Sequence, residues 1–455
     1  MQKKIDMKPR KYSSKELYKF IIPSIIGMLC FMTPISYNGE VTIPVAVMSK
    51  FIQTGLETVL PTIMTVVIAI TFICSTITKV FKPKAILENK YWNNLFNITP
   101  LWYVIRTLGF IFITLTYFKI GPEWVWSADT GGFLFTDLLP VLFSVFILAG
   151  LLLPLLLDFG LLEFFGALLT RIMRPIFTLP GRSSIDCITS WLGDGTLGVL
   201  LTSKQYEQGY YSEREASVIG TTFSAVSITF SLVVISQVNL TRLFVPYYLT
   251  VCLAGVVAAL ILPRIPPLSR KPDNYYMGQE KKNKETIPEG FTPFKWGVKT
   301  AVDKASENNS VSGFFKSGFK NVLDMLLGVT PVVMAMGTLA LILVTYTPIF
   351  KWIGMPFIPF LKLLGVPEAA AASQTVIVGF TDMFLPSVMA ATIKSEMTRF
   401  IIAGLSVTQL IYMSEVGGLL LGSKIPVNLK DLFILFLERT IITLPILSLV
   451  AHIIF

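Results

Sequence analysis

"SWLGDGTLG", residues 190–198, places an acid between two glycines, just after a tryptophan. The chain around it is strongly apolar, with 53% hydrophobic residues, 15% charged residues, 34 Phe and a single His. Soluble domains carry about 25% charged residues, so this composition describes a multi-pass membrane protein. Glycines interrupt a helix and a buried carboxylate is costly in hydrocarbon, so Asp194 needs a physical reason to be there.

About 20 apolar residues span roughly 30 Å of hydrocarbon as a helix. Nine stretches qualify: 20–39, 58–78, 95–118, 138–157, 216–238, 243–262, 325–350, 400–423 and 432–455. Arg106, Glu415, and the pair Glu438 and Arg439 interrupt three of them. The first has no small-x-small cleavage site before the polar turn at 37–40, and we read it as a retained helix. Cys30, Cys74, Cys187 and Cys252 are scattered with no C-x-x-C spacing, as packing residues would be. With one edge residue, His452, and no nucleophile or metal motif, the sequence argues against an enzyme.

Lys and Arg in short loops mark the cytoplasmic side. They crowd the N-terminus (Lys3, Lys4, Lys8, Arg10, Lys11, Lys15 and Lys19), placing it inside, and recur at 79–90 and 171–182. The long polar stretch from 263 to 320 holds eleven Lys and Arg against six acids, which also places it inside. The net charge of +10 is thus a topology signal with a weak attraction to anionic lipid, not a nucleic-acid surface. The expected organisation is a cytoplasmic tail with three helices (1–134), a first repeat (135–262), a basic cytoplasmic linker (263–319) and a second repeat (320–455).

The two repeats match block by block. An apolar helix, "IMRPIFTLPG", "ITSWLGDGTLGVLL" and "SEREASVIGTTFSAVSITF" in the first half correspond to an apolar helix, "GMPFIPFLKLLGVP", "QTVIVGFTDMFLPSVM" and "SEMTRFIIAGLSVTQLIYM" in the second. Asp194 thereby pairs with Asp382, and Ser212-Glu213 with Ser395-Glu396. If the broken blocks crossed straight through, the basic linker would lie outside. Read as re-entrant hairpins, they keep it inside and turn the second repeat upside down relative to the first. Irregular backbone at membrane depth is tolerated only in a protein-lined or watery site, which is the reason for the opening acid. Paired broken hairpins meeting near the midplane are the construction of a secondary transporter.

The expected fold is therefore all-α and polytopic, with about nine transmembrane helices, two re-entrant hairpins and two inverted repeats. These paired blocks resemble the nucleoside-recognition GATE domain, and the layout is similar to YjiH-like membrane proteins. GATE domains also occur in concentrative nucleoside carriers, in the membrane part of ferrous-iron permeases and in spore-maturation proteins, so the resemblance implies a gated membrane pathway.

Asp194, Asp382 and Glu415 are the expected centre of a site, able to bind a polar solute or a coupling ion, Na+ or H+. Capping of half-helices is the structural alternative for the two aspartates, and pairing with Arg439 or Arg399 the alternative for Glu415. Ser190 and Thr196 flank the first break, Thr381 adjoins the second, and Gln409 and Ser227 lie on the helices that follow. Hydroxyls such as Ser227 serve equally as helix-to-helix glue. The functional expectation is an ion-coupled, alternating-access carrier of a small polar solute such as a nucleoside, amino acid or short peptide, in the cell membrane, with no other cofactor and with homo-oligomerisation left open. The alternatives are an ion permease of the ferrous-iron type and a non-transporting membrane partner of the spore-maturation type.

Overall fold

The computed structural model describes residues 12–33, 35–37, 40–192, 195–223, 228–280, 287–288, 290–307 and 310–455. The protein is an all-α polytopic membrane protein, its only described strands being the short antiparallel pair Ile35–Tyr37 and Glu40–Thr42. Among the described residues, six segments are long and apolar enough to cross a membrane: Leu60–Phe81, Pro100–Phe118, Glu123–Leu157, Thr241–Arg270, Ser312–Tyr346 and Leu429–Ile454. Their outer faces are apolar, as lipid requires. On Leu60–Phe81, Val66, Ile70, Ile73 and Ile77 are exposed, while Met64, Ile68, Thr71, Ser75 and Thr78 turn inward at the same helical spacing.

The other three expected crossings are not plain apolar helices. The first is the helix Ser14–Met32, whose Phe20 packs on Ala301, Val302 and Ala305 of the linker helix Pro293–Glu307. The expected helix 216–238 is two pieces, Glu213–Thr222 and Ile228–Gln237, and 400–423 is likewise Glu396–Thr408 and Val416–Gly422. Hydropathy reports length and polarity, and neither changes when a helix unwinds for a few residues.

Both blocks around the aspartates double back. Ser183–Leu192 packs against Gly195–Glu207, and Ala369–Val378 against Leu385–Ala390. Before and after the first block, Arg174 pairs with Glu215 at 2.7 Å and Arg214 donates to the Thr178 carbonyl, so both flanks lie at one end of the bundle. Lys271, paired with Asp431 at 2.6 Å, belongs to that end as well. Around the second block, Thr398 donates to the Pro367 carbonyl at 2.7 Å, and Glu368 accepts from the Ser395 amide at 3.0 Å. Those flanks share their end with Arg242, which pairs with Glu396. The helix Phe244–Ile261, about 27 Å long at 1.5 Å per residue, separates Arg242 from Arg264. Arg264 bonds the carbonyl of Ile176 at 2.7 Å. The two hairpins therefore enter from opposite ends.

The order of elements recurs between the halves: a long crossing, a hairpin, a broken helix and another crossing. The long crossings share a detail, since a π turn, Leu134–Leu138 or Asp324–Val329, precedes Pro140 or Pro331 at the second position of the following helix. Proline has no amide to give the carbonyl four residues back, and the helix ahead of Pro140 winds wider, the Leu139 amide donating to the Leu134 carbonyl five residues back. The recurrent Ser-Glu pairs also have a structural cause. Ser212 caps Glu213–Thr222 in a capping box with Glu215, and Ser395 caps Glu396–Thr408 through the Thr398 amide.

Candidate functional site

In the second hairpin the chain leaves helix at Gly379 and resumes at Leu385. Asp382 lies in this gap and is 8% exposed. Its Oδ1 accepts from the amides of Phe384 (2.8 Å) and Leu385 (3.1 Å), capping the second arm, while Oδ2 accepts from the Ser414 hydroxyl at 2.9 Å. Ser414 belongs to the unwound segment of the broken helix, and the two irregular stretches are sewn together. The amides of Met413 and Ser414 donate to the carbonyls of Phe380 (2.8 Å) and Thr381 (2.9 Å). The Thr381 hydroxyl turns back to the Val378 carbonyl at 2.8 Å. Irregular backbone from two elements thus satisfies itself, as it must away from water.

The unwound segment of the broken helix also holds Leu410 in the left-handed region, at φ +59°. A branched apolar residue there costs roughly 1–2 kcal/mol, and such residues gather at binding sites and switches. Gln409 beside it donates to the Val376 carbonyl and to the Thr440 hydroxyl, both at 2.9 Å. Its Oε1 is buried with no hydrogen-bond partner among the described residues. Gly379 is close to that oxygen, and a side chain at 379 would collide with it. Glu415 is half-buried at the cap position of Val416–Gly422, with a non-helical backbone.

Arg439, 1% exposed on the last helix, joins the two repeats. Its Nε donates to the Thr408 carbonyl at 2.8 Å, and one terminal nitrogen donates to the carbonyls of Thr221 (3.3 Å) and Thr222 (3.2 Å). Thr222 and Thr408 are the last residues of the first half-helices of the two broken crossings. A helix C-terminus carries about half a negative charge, so two such ends replace the carboxylate a buried guanidinium usually takes. A crevice of about 20 Å³ beside Arg439 is lined by Trp191, Thr222, Tyr248, Thr408 and Leu410, among others.

On the first repeat, Ser190 and Thr196 are each 1% exposed. The hydroxyls of Thr189, Ser190, Thr222 and Ser231 are buried without partners among the described residues. Buried polar atoms are nearly always bonded, which makes these four hydroxyls exceptions among the described residues. Asp194 and Ser227 lie outside the described residues. The structure therefore joins Asp382 to Thr381, with Gln409 and Glu415 on the same unwound segment, and places Ser190 and Thr196 on the opposite hairpin.

Two features escaped the sequence reading. Ser414 holds Asp382 from 32 residues away in sequence, and no local pattern announces it. The first hairpin is also stapled by a buried polar chain. The Thr202 hydroxyl (2.9 Å) and Gln205 Nε2 donate to Asp186, while Arg182 Nε donates to Gln205 Oε1 at 2.6 Å. Arg182 also pairs with Glu163 at 3.4 Å and stacks over the Tyr210 ring at 3.6 Å. Asp186 and Arg182 in an otherwise apolar block were the available signal. No group of three or more His, Cys, Asp or Glu side chains able to hold a metal ion occurs among the described residues.

Comparison with known proteins places these observations in context. The Gate family, described as nucleoside recognition, matches residues 139–241, which span the first hairpin and its broken helix. An uncharacterized protein of Alkalihalophilus pseudofirmus is 51% identical over 437 residues, covering 96% of this chain and 94% of its own length. Among solved structures, two variants of CNTnw in an outward-facing state align with 13% and 11% identity. They cover 90% and 96% of this chain and 96% of their own, with TM-scores of 0.34 and 0.31.

Proposed function

We propose, from the premise that the chain belongs to the GATE-domain membrane proteins together with its Alkalihalophilus relative, that it is a secondary transporter moving a small polar solute of the nucleoside class by alternating access. Its coupling ion is Na+ or H+, its N-terminus and linker are cytoplasmic, and the cell membrane is its location. The observation that carries this reading is the Asp382 break, sewn to the unwound segment 409–415 of the neighbouring crossing. Helices that break off at membrane depth bring polar side chains and backbone dipoles into the protein interior, and carriers of this kind hold solute and ion at such breaks. The nucleoside class is favoured by the description of the matching family. In this reading Asp382 holds the coupling ion, and Gln409 Oε1 with the buried hydroxyls around Ser190 receives the solute. Asp194 is its counterpart on the first repeat.

The crevice beside Arg439 has room for about one water molecule, and a centre so tightly filled favours a second reading, a membrane partner that transports nothing. Uptake into proteoliposomes of nucleosides, amino acids and short peptides, with Na+ and pH varied separately, separates the two. A carrier accumulates one class in an ion-dependent way. A partner protein accumulates none, and its melting temperature in detergent is indifferent to all of them. A true ligand stabilises the fold by about 2.7 kcal/mol at a hundred times its dissociation constant.

A further inference from the structure

A cavity of about 250 Å³ opens at the end of the bundle that holds the linker, away from the Asp382 site. Its walls come from the N-terminal helices, both repeats and the linker, and its charged lining is Arg106, Lys204, Glu207, Asp324 and Lys424. The charges do not cancel. Lys204 takes both acids, pairing with Asp324 and, at 3.4 Å, with Glu207. Arg106 is 7% exposed, and its guanidinium reaches only neutral acceptors, the Ser75 hydroxyl at 3.0 Å and the Leu95 carbonyl at 2.9 Å. No carboxylate lies within ion-pair distance of Arg106 or of Lys424 among the described residues.

A guanidinium taken out of water and bonded only to neutral groups carries a penalty that a matching anion would relieve. Its fork suits an oxyanion, which it can hold through two parallel bonds. Lys424, exposed at the mouth, adds a second positive charge, and the Ser203 hydroxyl in the wall, which accepts the Lys424 amide at 3.2 Å, can donate to a further oxygen. The volume suits phosphate or a small phosphate ester, since pockets for drug-sized ligands begin near 300 Å³.

We propose that this cavity is a binding site for a phosphate-class oxyanion, held between Arg106 and Lys424. The anion comes either from the aqueous phase or from a lipid headgroup. The site is separate from the Asp382 centre and does not depend on the transport reading.

The test uses the full chain purified in detergent and, in parallel, in vesicles. Inorganic phosphate is titrated at constant ionic strength against chloride while thermal stability is followed. The vesicles are phosphatidylcholine with or without phosphatidylglycerol. Saturable stabilisation by phosphate identifies a free oxyanion, and stabilisation confined to the phosphatidylglycerol vesicles identifies a headgroup. In either case Arg106→Gln and Lys424→Ala should each weaken the effect about tenfold or more, with Arg106→Lys intermediate. Lys424 is exposed, so its alanine variant remains informative if Arg106→Gln does not fold. Stabilisation by neither source, or an effect that Lys424→Ala leaves unchanged, overturns the proposal.

Discussion

Replacing Asp382 separates its two roles, because the substitutions differ in which bonds they keep. The carboxylate caps Leu385–Ala390 through two amides and accepts from Ser414. Asp382→Ala removes all of this. A lost cap costs about 1 kcal/mol, and a hydroxyl that loses a charged acceptor about 1.5–3, for a total of roughly 3 kcal/mol. Asp382→Asn keeps the cap, since Asn serves there as well as Asp. Its amide can donate to Ser414 Oγ, replacing a charged bond with a neutral one, so its loss is about 1 kcal/mol. Melting in detergent should therefore rank wild type above Asn and Asn well above Ala, with the Ala loss about three times the Asn loss. Uptake should not follow that order. The Asn variant, folded and capped, should lose the dependence of transport on Na+ or pH together with the Ala variant. If Asp382→Asn transports with the ion dependence of the wild type, the aspartate is a helix cap only and its functional assignment fails.

Arg439→Met should abolish uptake while shifting stability by no more than a few kcal/mol, because three bonds worth roughly 1.5–3 kcal/mol each are lost along with a desolvation penalty of similar size. Wild-type transport in that variant would mean that the bridge Arg439 makes between the two broken helices is not needed for transport. Gln205→Leu orphans Arg182 Nε and one oxygen of Asp186, and should lower stability by about 3 kcal/mol at 1–3 per orphaned group; an unchanged melting temperature would mean that the staple between the hairpin arms is energetically idle. Single cysteines at positions 213 and 396, in a background lacking the four native ones, should react with impermeant reagent from opposite faces of sealed vesicles. Labelling of both from the same face contradicts the opposed hairpins.

Much of this protein could be read from its residues. The apolar runs located the crossings because hydrocarbon demands length and little else. The loop charges led to the doubled-back hairpins, now seen in the contacts of Arg174 with Glu215 and of Thr398 with Pro367. The paired Ser-Glu motifs were visible because caps are local, set by residues three apart. The unwinding at 409–415 was not legible. "LSVTQLIYMSEVG" is free of proline and sits inside a run long enough to cross, and it unwinds where Phe380 and Thr381 accept its amides from a distant segment. Arg439 likewise read as an ion-pair residue, since nothing in one sequence says that its acceptors are backbone carbonyls.

The π turns ahead of Pro140 and Pro331 carry a consequence for helical phase. Each accommodates one residue more than an α-helix of the same rise, and each residue turns the chain by about 100°. Deleting one residue within 134–138 or 324–329 is therefore absorbed as the π turn tightens to an α turn, whereas deleting one in the regular helix beyond it would rotate everything upstream by more than a quarter turn against everything downstream. In the second span a deletion within 332–340 would swing Asp324 away from Lys204 while leaving Leu341 and the rest of the downstream helix in place. Composition and hydropathy would scarcely register the change. Two long crossings that tolerate apolar exchange almost anywhere along their lipid face would thus tolerate the loss of a residue only at these two turns.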